Sequence, residues 1–281
     1  MINRKNIPVA ILIISTVLVL AVLLSGCTSP TPAPGTTPTP TPVPKTDLTV
    51  FAAASLTSAF GEIKTAFEAV QPANVIYNFM GSQDLRTQIE QGAYVDVFAS
   101  AAPSHINVLK DKGMMNNSTI VTFTKNKLAV IVPKNNPANI QNLSDIAKPG
   151  VKLVIASKDV PVGSYTQQIL NKTVNDTAYG PAYKTAVIGN VKSEERSVND
   201  VVSKVALGEA DAGFVYVSDV PAEYRDKVSI VAIPDSLNVI ADYPIGVLSE
   251  SDHSDLAKAY IDFVMSAEGK AILEKYGFSP V

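Results

Sequence analysis

The sequence predicts an α/β protein with two lobes, each a mostly parallel sheet flanked by helices. Two observations carry this. From Asp47 onward, short apolar runs alternate with longer amphipathic ones, the pattern of strands and helices in turn. The alternation reads as two such sheets in succession, in a chain of 281 residues that can hold one large domain or two ordinary ones. The only cysteine is Cys27, so no intramolecular disulfide is possible and the fold must rest on its core, with 46% of residues hydrophobic.

Strands are expected at 48–52, 75–79, 95–100, 128–133, 152–157, 212–218, 229–234 and 243–249, and helices at 56–70, 83–91, 104–112, 164–172, 198–207 and 255–276. In the first helix Leu56, Phe60, Ile63 and Phe67 fall on one face. In the second, Ser82 stands as N-cap before Leu85 and Ile89. The fourth follows "DVPVGSYTQQIL", where Pro161 and Gly163 flank Val162 and leave its backbone accessible. The fifth lines up Val198, Val201, Val202 and Val205. "AGFVYVS" reads as a buried strand, with Tyr216 a core aromatic by default. "MMNNSTI" and "VPKNNPANIQN" read as surface loops.

Residues before Asp47 are not expected to join the fold. Arg4 and Lys5 precede the apolar run "IPVAILIISTVLVLAVLLSGC", the layout of an export signal. Its end, "LLSGC", resembles a lipobox, the bacterial-type lipoprotein processing signal. That resemblance implies a lipoprotein signal peptide over 1–27 ending at a lipidated Cys27. The run is also long enough for an uncleaved transmembrane anchor, which gives the same topology. Residues 28–46 hold seven of the 19 prolines and almost no apolar bulk, so they are expected to be an extended tether.

The net charge of −3 offers no basic surface for nucleic acid. Without residues 1–26 the side chains count 21 basic against 26 acidic. An acidic chain does not attract an anion at long range, so any anion site must work by local dipoles.

Four helix starts have a common character. "FAAASLTSAF" joins a strand to a helix through three alanines and Ser55, and the others lie near Ser82, Val162 and Val198. A helix start presents unsatisfied N–H groups and the positive end of the macrodipole. Several aimed at one place make an anion site without a charged side chain. Each feature alone has an ordinary reading, a cap for the serines and core for the valines, and spacing does not show that they converge.

"VFAAASL…FEAV", "MGSQDLRTQIEQGAYVDVFASA", "VPVGSYTQQIL", "FVYVSD" and "SAEGKAILEKYGF" resemble the periplasmic molybdate-binding proteins, the ModA family, over nearly all of 47–281. The last of these is shared more widely among binding proteins. The resemblance implies a type II periplasmic-binding-protein fold and a tetrahedral oxyanion, molybdate or tungstate, held between two lobes. It implies hydroxyl and backbone donors at Ser55 and Ser82, backbone N–H donors at Val162 and Val198, and the Tyr216 hydroxyl. The family often has Ala at the Val162 position, but the implied contact there uses the backbone. No direct protein–metal bond and no cofactor are implied. The implied partners are an ABC permease and its ATPase, with the membrane reached through the lipid anchor on its outer face, and the protein acting as a monomer. The implied lobes are discontinuous, 47–127 with 243–281 and 128–242, hinged near Lys127 and Asp242.

Such an anion only accepts hydrogen bonds, so a site made purely of donors suits it. Asp84 and Asp200, two residues after Ser82 and Val198, read as solvated dipole partners rather than ligand contacts. Nothing points to an enzyme. His105 and His253, the only histidines, read as surface; Gly-x-Ser-x-Gly, a Cys/His cluster and a Gly-rich phosphate loop are all missing from the sequence. Two roles remain open: a transport receptor, and a membrane-tethered oxyanion sensor or adhesion module on the same fold.

Overall fold

A computed structural model describes residues 44–220 and 224–281. The signal segment, Cys27 and most of the tether lie outside the described residues. The first strand begins at Thr46, one residue inside the expected tether.

The chain runs β1 (Thr46–Ala53), α1 (Thr57–Val70), β2 (Ala73–Met80), α2 (Ser82–Glu90), β3 (Val97–Ala99), α3 (Pro103–Asp111) and β4 (Val121–Pro133). It continues through β5 (Leu153–Ala156), α4 (Pro161–Val174), α5 (Gly180–Gly189), β6 (Val191–Glu195), α6 (Val198–Ala206) and β7 (Ala212–Tyr216). The last elements are β8 (Val228–Ala232), β9 (Ile240–Val247), α7 (Ser254–Met265) and α8 (Ala267–Lys275). The strands follow the order β2-β1-β3-β9-β4-β7-β5-β6, with β8 also on β4.

This is a two-lobe α/β fold. In one half, β1 pairs parallel with β2 and β3; in the other, β5 pairs parallel with β6 and β7. The strands between them are antiparallel, so each half is a parallel centre with an antiparallel margin. The long β4 belongs to both. Its Val121–Lys127 stretch pairs with β9, and from Leu128 onward it pairs with β7 and β8. Lys127 faces Ile240 where the pairing changes, so the two crossing strands lie side by side.

Burial explains the elements. Leu56, Phe60, Ile63 and Phe67 are all at most 1% exposed, the predicted core face at the start of the chain. Phe60, Phe67, Tyr77, Phe123 and Tyr260 interlock as tilted and edge-on rings, and the Tyr77 hydroxyl donates to the Phe60 carbonyl at 3.0 Å. Val198, Val201, Val202 and Val205 are likewise buried.

Four elements differ markedly from expectation. β4 starts at Val121 instead of 128, because its first half, "VTFTKNK", is too polar to read as a strand and is held by pairing with β9. β6, "VKSEE", is an edge strand with alternating partial exposure, and its polar sequence hides its strand character. α5 is fixed by tertiary contact, with Tyr183 buried and its hydroxyl 2.6 Å from the Leu143 carbonyl. The expected helix over 255–276 is two helices. Ser266 adopts an extended conformation, and its hydroxyl oxygen accepts the Gly269 N–H at 3.1 Å, which starts α8 afresh.

One glycine sets the position of α4. A Cβ at Gly163 would lie 2.0 Å from the Ser157 carbonyl oxygen and 2.4 Å from that of Ala156. The first turn of α4 therefore packs directly on the carboxyl end of β5. Gly163→Ala is expected to destabilise the protein by about 1–3 kcal/mol, the usual cost of overpacking. A thermal melt equal to that of the parent would contradict this close approach.

Candidate functional site

The parallel strands of both halves end at one place. Beyond β1 comes a short 3-10 turn, Ala54–Leu56, that leads into α1. β2 ends one residue before α2, β5 leads to α4, β6 leads through Arg196 and Ser197 to α6, and β7 ends on Tyr216. In open α/β sheets ligands sit outside such carboxyl ends. Here a small cavity is lined by Ser55, Ser82, Val162, Val198 and Tyr216, together with Gly81 and small or apolar neighbours. All five residues singled out in the sequence meet there, each at most 8% exposed.

Their local roles differ in part from the expected ones. Ser82 is the first residue of α2, and the N-cap is Gly81, so the serine does not cap the helix. Its hydroxyl oxygen instead accepts the Ala101 N–H at 3.1 Å. A Cβ at Gly81 would lie 2.5 Å from the Arg196 carbonyl, which keeps this turn free of a side chain. Ser55 lies in the 3-10 turn and makes no cap bond to α1; its Oγ is 3.0 Å from the Tyr243 hydroxyl. Val162 is not in the loop before α4 but in its first turn, directly after Pro161, where an N–H has no partner within the helix. Val198 opens α6, and Ser197 caps it by accepting the Asp200 N–H.

Tyr216 is the most informative member. It is 1% exposed, and its hydroxyl has no hydrogen-bond partner. A buried phenol normally finds one. Burial first, and then the nearby Tyr243, raises its pKa well above the ordinary value, so it keeps its proton. It is an idle donor on the cavity wall.

The acidic side chains nearby are turned elsewhere. Asp84 pairs with Arg196 at 2.7 Å, and Asp200 accepts the Ser197 hydroxyl at 2.7 Å. Neither lines the cavity. Asp219 accepts the Tyr216 N–H at 2.7 Å through one oxygen, while the other has no partner. Burial pushes its pKa up to about 8, against the opposing effect of that N–H. A neutral carboxyl at this position adds no repulsion toward an anion.

His105 is not at the surface. It is 7% exposed, and burial, reinforced by Arg86, lowers its pKa to about 4. The helix-start reading missed this because the exposure of a first turn depends on what packs over it. Among the described residues, no cluster of three His, Cys, Asp or Glu is placed to hold a metal ion.

Comparison with known proteins places this architecture. The family model described as "Bacterial extracellular solute-binding protein" matches residues 48–279. The chain belongs to that family. As a solute-binding protein it is 37% identical over 233 residues to the molybdate-binding protein ModA of Mycobacterium tuberculosis, covering 83% of this chain and 84% of the relative. Two solved structures have its fold. The sulfate-binding protein SubI from Mycobacterium tuberculosis has a TM-score of 0.76 at 19% identity, covering 84% of this chain and 87% of that one. The periplasmic molybdate-binding protein of Azotobacter vinelandii has 0.72 at 20%, covering 83% and 99%. One is named for sulfate and the other for molybdate, so the fold alone does not choose between them. The family places the solute-binding part outside the cytoplasm, and among the described residues no helix is long and apolar enough to cross a membrane.

The pKa of Asp219 gives a pH signature. Raised from 3.8 to about 8, it contributes stability that is fully present below about pH 4. That stability is lost as pH rises through about 8. Asp219→Asn keeps an acceptor for the Tyr216 N–H and removes the titration. Its melting temperature should fall less between pH 5 and pH 9 than the parent's; parallel profiles would contradict the assignment.

Proposed function

We propose that this chain is the substrate-binding component of an ABC importer and captures molybdate, with tungstate as a second ligand, as a tetrahedral oxyanion between its lobes. The observation that carries this is the unpartnered Tyr216 hydroxyl, buried on the same wall as two serine hydroxyls and the starts of α2, α4 and α6. A fully ionised oxyanion has lone pairs to offer and no proton to donate. Ser55 and Ser82 would supply hydroxyl and backbone donors, Val162 and Val198 backbone N–H groups, and Tyr216 its hydroxyl. The choice of molybdate over sulfate rests on the 37% identical relative named for molybdate binding.

In this reading the lobes are 47–127 with 243–281 and 128–242, and the strand crossings near Lys127 and Asp242, side by side in the β4–β9 pairing, would form the hinge. Donors then come from both lobes, so the ligand favours closure. Three contacts span the mouth: Arg196 with Asp84, the Gln83 amide to the Arg196 carbonyl at 2.9 Å, and the Asn199 amide to the Ala54 carbonyl at 3.2 Å. A lipidated Cys27 and the proline-rich tether would hold the domain at the outer membrane face, where it hands its ligand as a monomer to a permease and ATPase.

Calorimetric titration of the soluble domain with molybdate, tungstate and sulfate tests the reading directly. Ser55→Ala and Ser82→Ala should each weaken molybdate binding by about 1–3 kcal/mol, the cost of a donor lost to a charged acceptor. Val162→Ala should change little, because its N–H survives. Parent-like binding in either serine variant, or sulfate binding as tight as molybdate, would overturn it. Arg196→Ala should speed molybdate release at low salt, with the difference shrinking at high salt, as measured by stopped-flow tyrosine fluorescence.

A further inference from the structure

A serine hydroxyl both donates and accepts, and what already sits on its oxygen biases which it does. At Ser82 the Ala101 N–H occupies the oxygen, so the hydrogen is left for the cavity. Ser55 has no such backbone donor. Its oxygen lies 3.0 Å from the Tyr243 phenol, which stands on β9 where the chain crosses between the halves.

The direction of that bond follows from the surroundings of Tyr243. The residue is 0% exposed and wedged edge-on against Phe123, Tyr216 and Phe278. Its hydroxyl has two hydrogen-bonding neighbours, Ser55 Oγ and, at a longer 3.5 Å, Asn126 Nδ2. The Asn126 amide is oriented by its own bonds. Its oxygen accepts the Lys127 N–H at 2.9 Å, and its nitrogen donates to Ser218 Oγ at 2.7 Å. Asn126 therefore presents only a donor to Tyr243. The Tyr216 ring stands edge-on to Tyr243 at 5.7 Å, and its hydroxyl meets no partner within hydrogen-bonding geometry. Burial keeps the Tyr243 phenol protonated. The acceptor left for its hydrogen is Ser55 Oγ.

We infer that Tyr243 is a positioning and specificity-determining residue: its hydroxyl donates to Ser55 Oγ, which turns the Ser55 hydrogen into the cavity and commits Ser55 to donating. The inference rests on the oxyanion reading of the cavity. Asn126, Tyr243 and Ser55 form a chain of donors running from the strand crossing to the ligand, each bond polarising the next. The consequence is selectivity. A protonated oxyanion such as hydrogen phosphate needs an acceptor in the site, and a Ser55 held as donor withholds one. Without the Tyr243 hydroxyl, Ser55 is free to rotate and accept.

The test is a double-mutant cycle of the parent domain, Tyr243→Phe, Ser55→Ala and the double variant, titrated calorimetrically with molybdate and with inorganic phosphate at neutral pH. Tyr243→Phe keeps the ring contacts, and its melting temperature reports whether the fold survives. It should weaken molybdate about fivefold, the size of one net hydrogen bond, and should narrow the preference for molybdate over phosphate. In the Ser55→Ala background the same change should cost nothing further. Equal losses in both backgrounds would mean that Tyr243 acts through packing and would overturn the inference. So would parent-like affinity and selectivity in Tyr243→Phe while Ser55→Ala is weakened. Parent-like molybdate binding by Ser55→Ala would instead remove the oxyanion reading of Ser55, and this inference with it.

Discussion

Parallel strands that end together, each giving way to a helix or turn, are the constraint on which the rest of this molecule depends. A parallel strand must be followed by a crossover, and the crossover helix begins just beyond the strand's carboxyl end. Two half-sheets joined through β4 and β9 bring two sets of such ends face to face. The first residues of several helices then line one cavity without any one segment being designed for it. The small residues between β1 and α1, Gly81 and Gly163 let these turns approach closely.

A net-acidic chain manages this convergence by keeping negative charge away from the cavity. Asp84 is held by Arg196 and Asp200 by Ser197, so the carboxylates of the first turns support helix dipoles without lining the cavity. Asp219 is handled differently. It is buried, carries its proton up to about pH 8, and accepts the N–H of Tyr216 with a single oxygen. The result is a neutral polar wall in which the hydroxyls of Ser55, Ser82 and Tyr216 are the side-chain groups available to a ligand.

The strands and helices were largely legible because apolar periodicity reflects burial, and burial here follows the simple faces of α1, α2 and α6. The exceptions have specific causes. β6 is an edge strand with a polar sequence, the break between α7 and α8 depends on one capping serine, and α5 is held by Tyr183 reaching Leu143. His105 read as surface because sequence shows its own helix and not the neighbours that cover it. The same limit applied to Ser55 and Ser82, whose ordinary reading as caps fails because their oxygens are engaged by Tyr243 and Ala101, distant in the chain.

By itself the sequence determined the α/β alternation, the core faces, the acidic charge and, through family resemblance, the five positions around the cavity. Those properties are local or compositional, and they survive without knowledge of which elements touch. Only the tertiary structure decided that the five positions share one wall, that Tyr216 has an idle hydroxyl, and that Asp84 faces Arg196 across the chain. It also set the sense of the serine hydroxyls. Hydrogen-bond direction depends on what occupies the oxygen, and for Ser55 that occupant is Tyr243, 188 positions away.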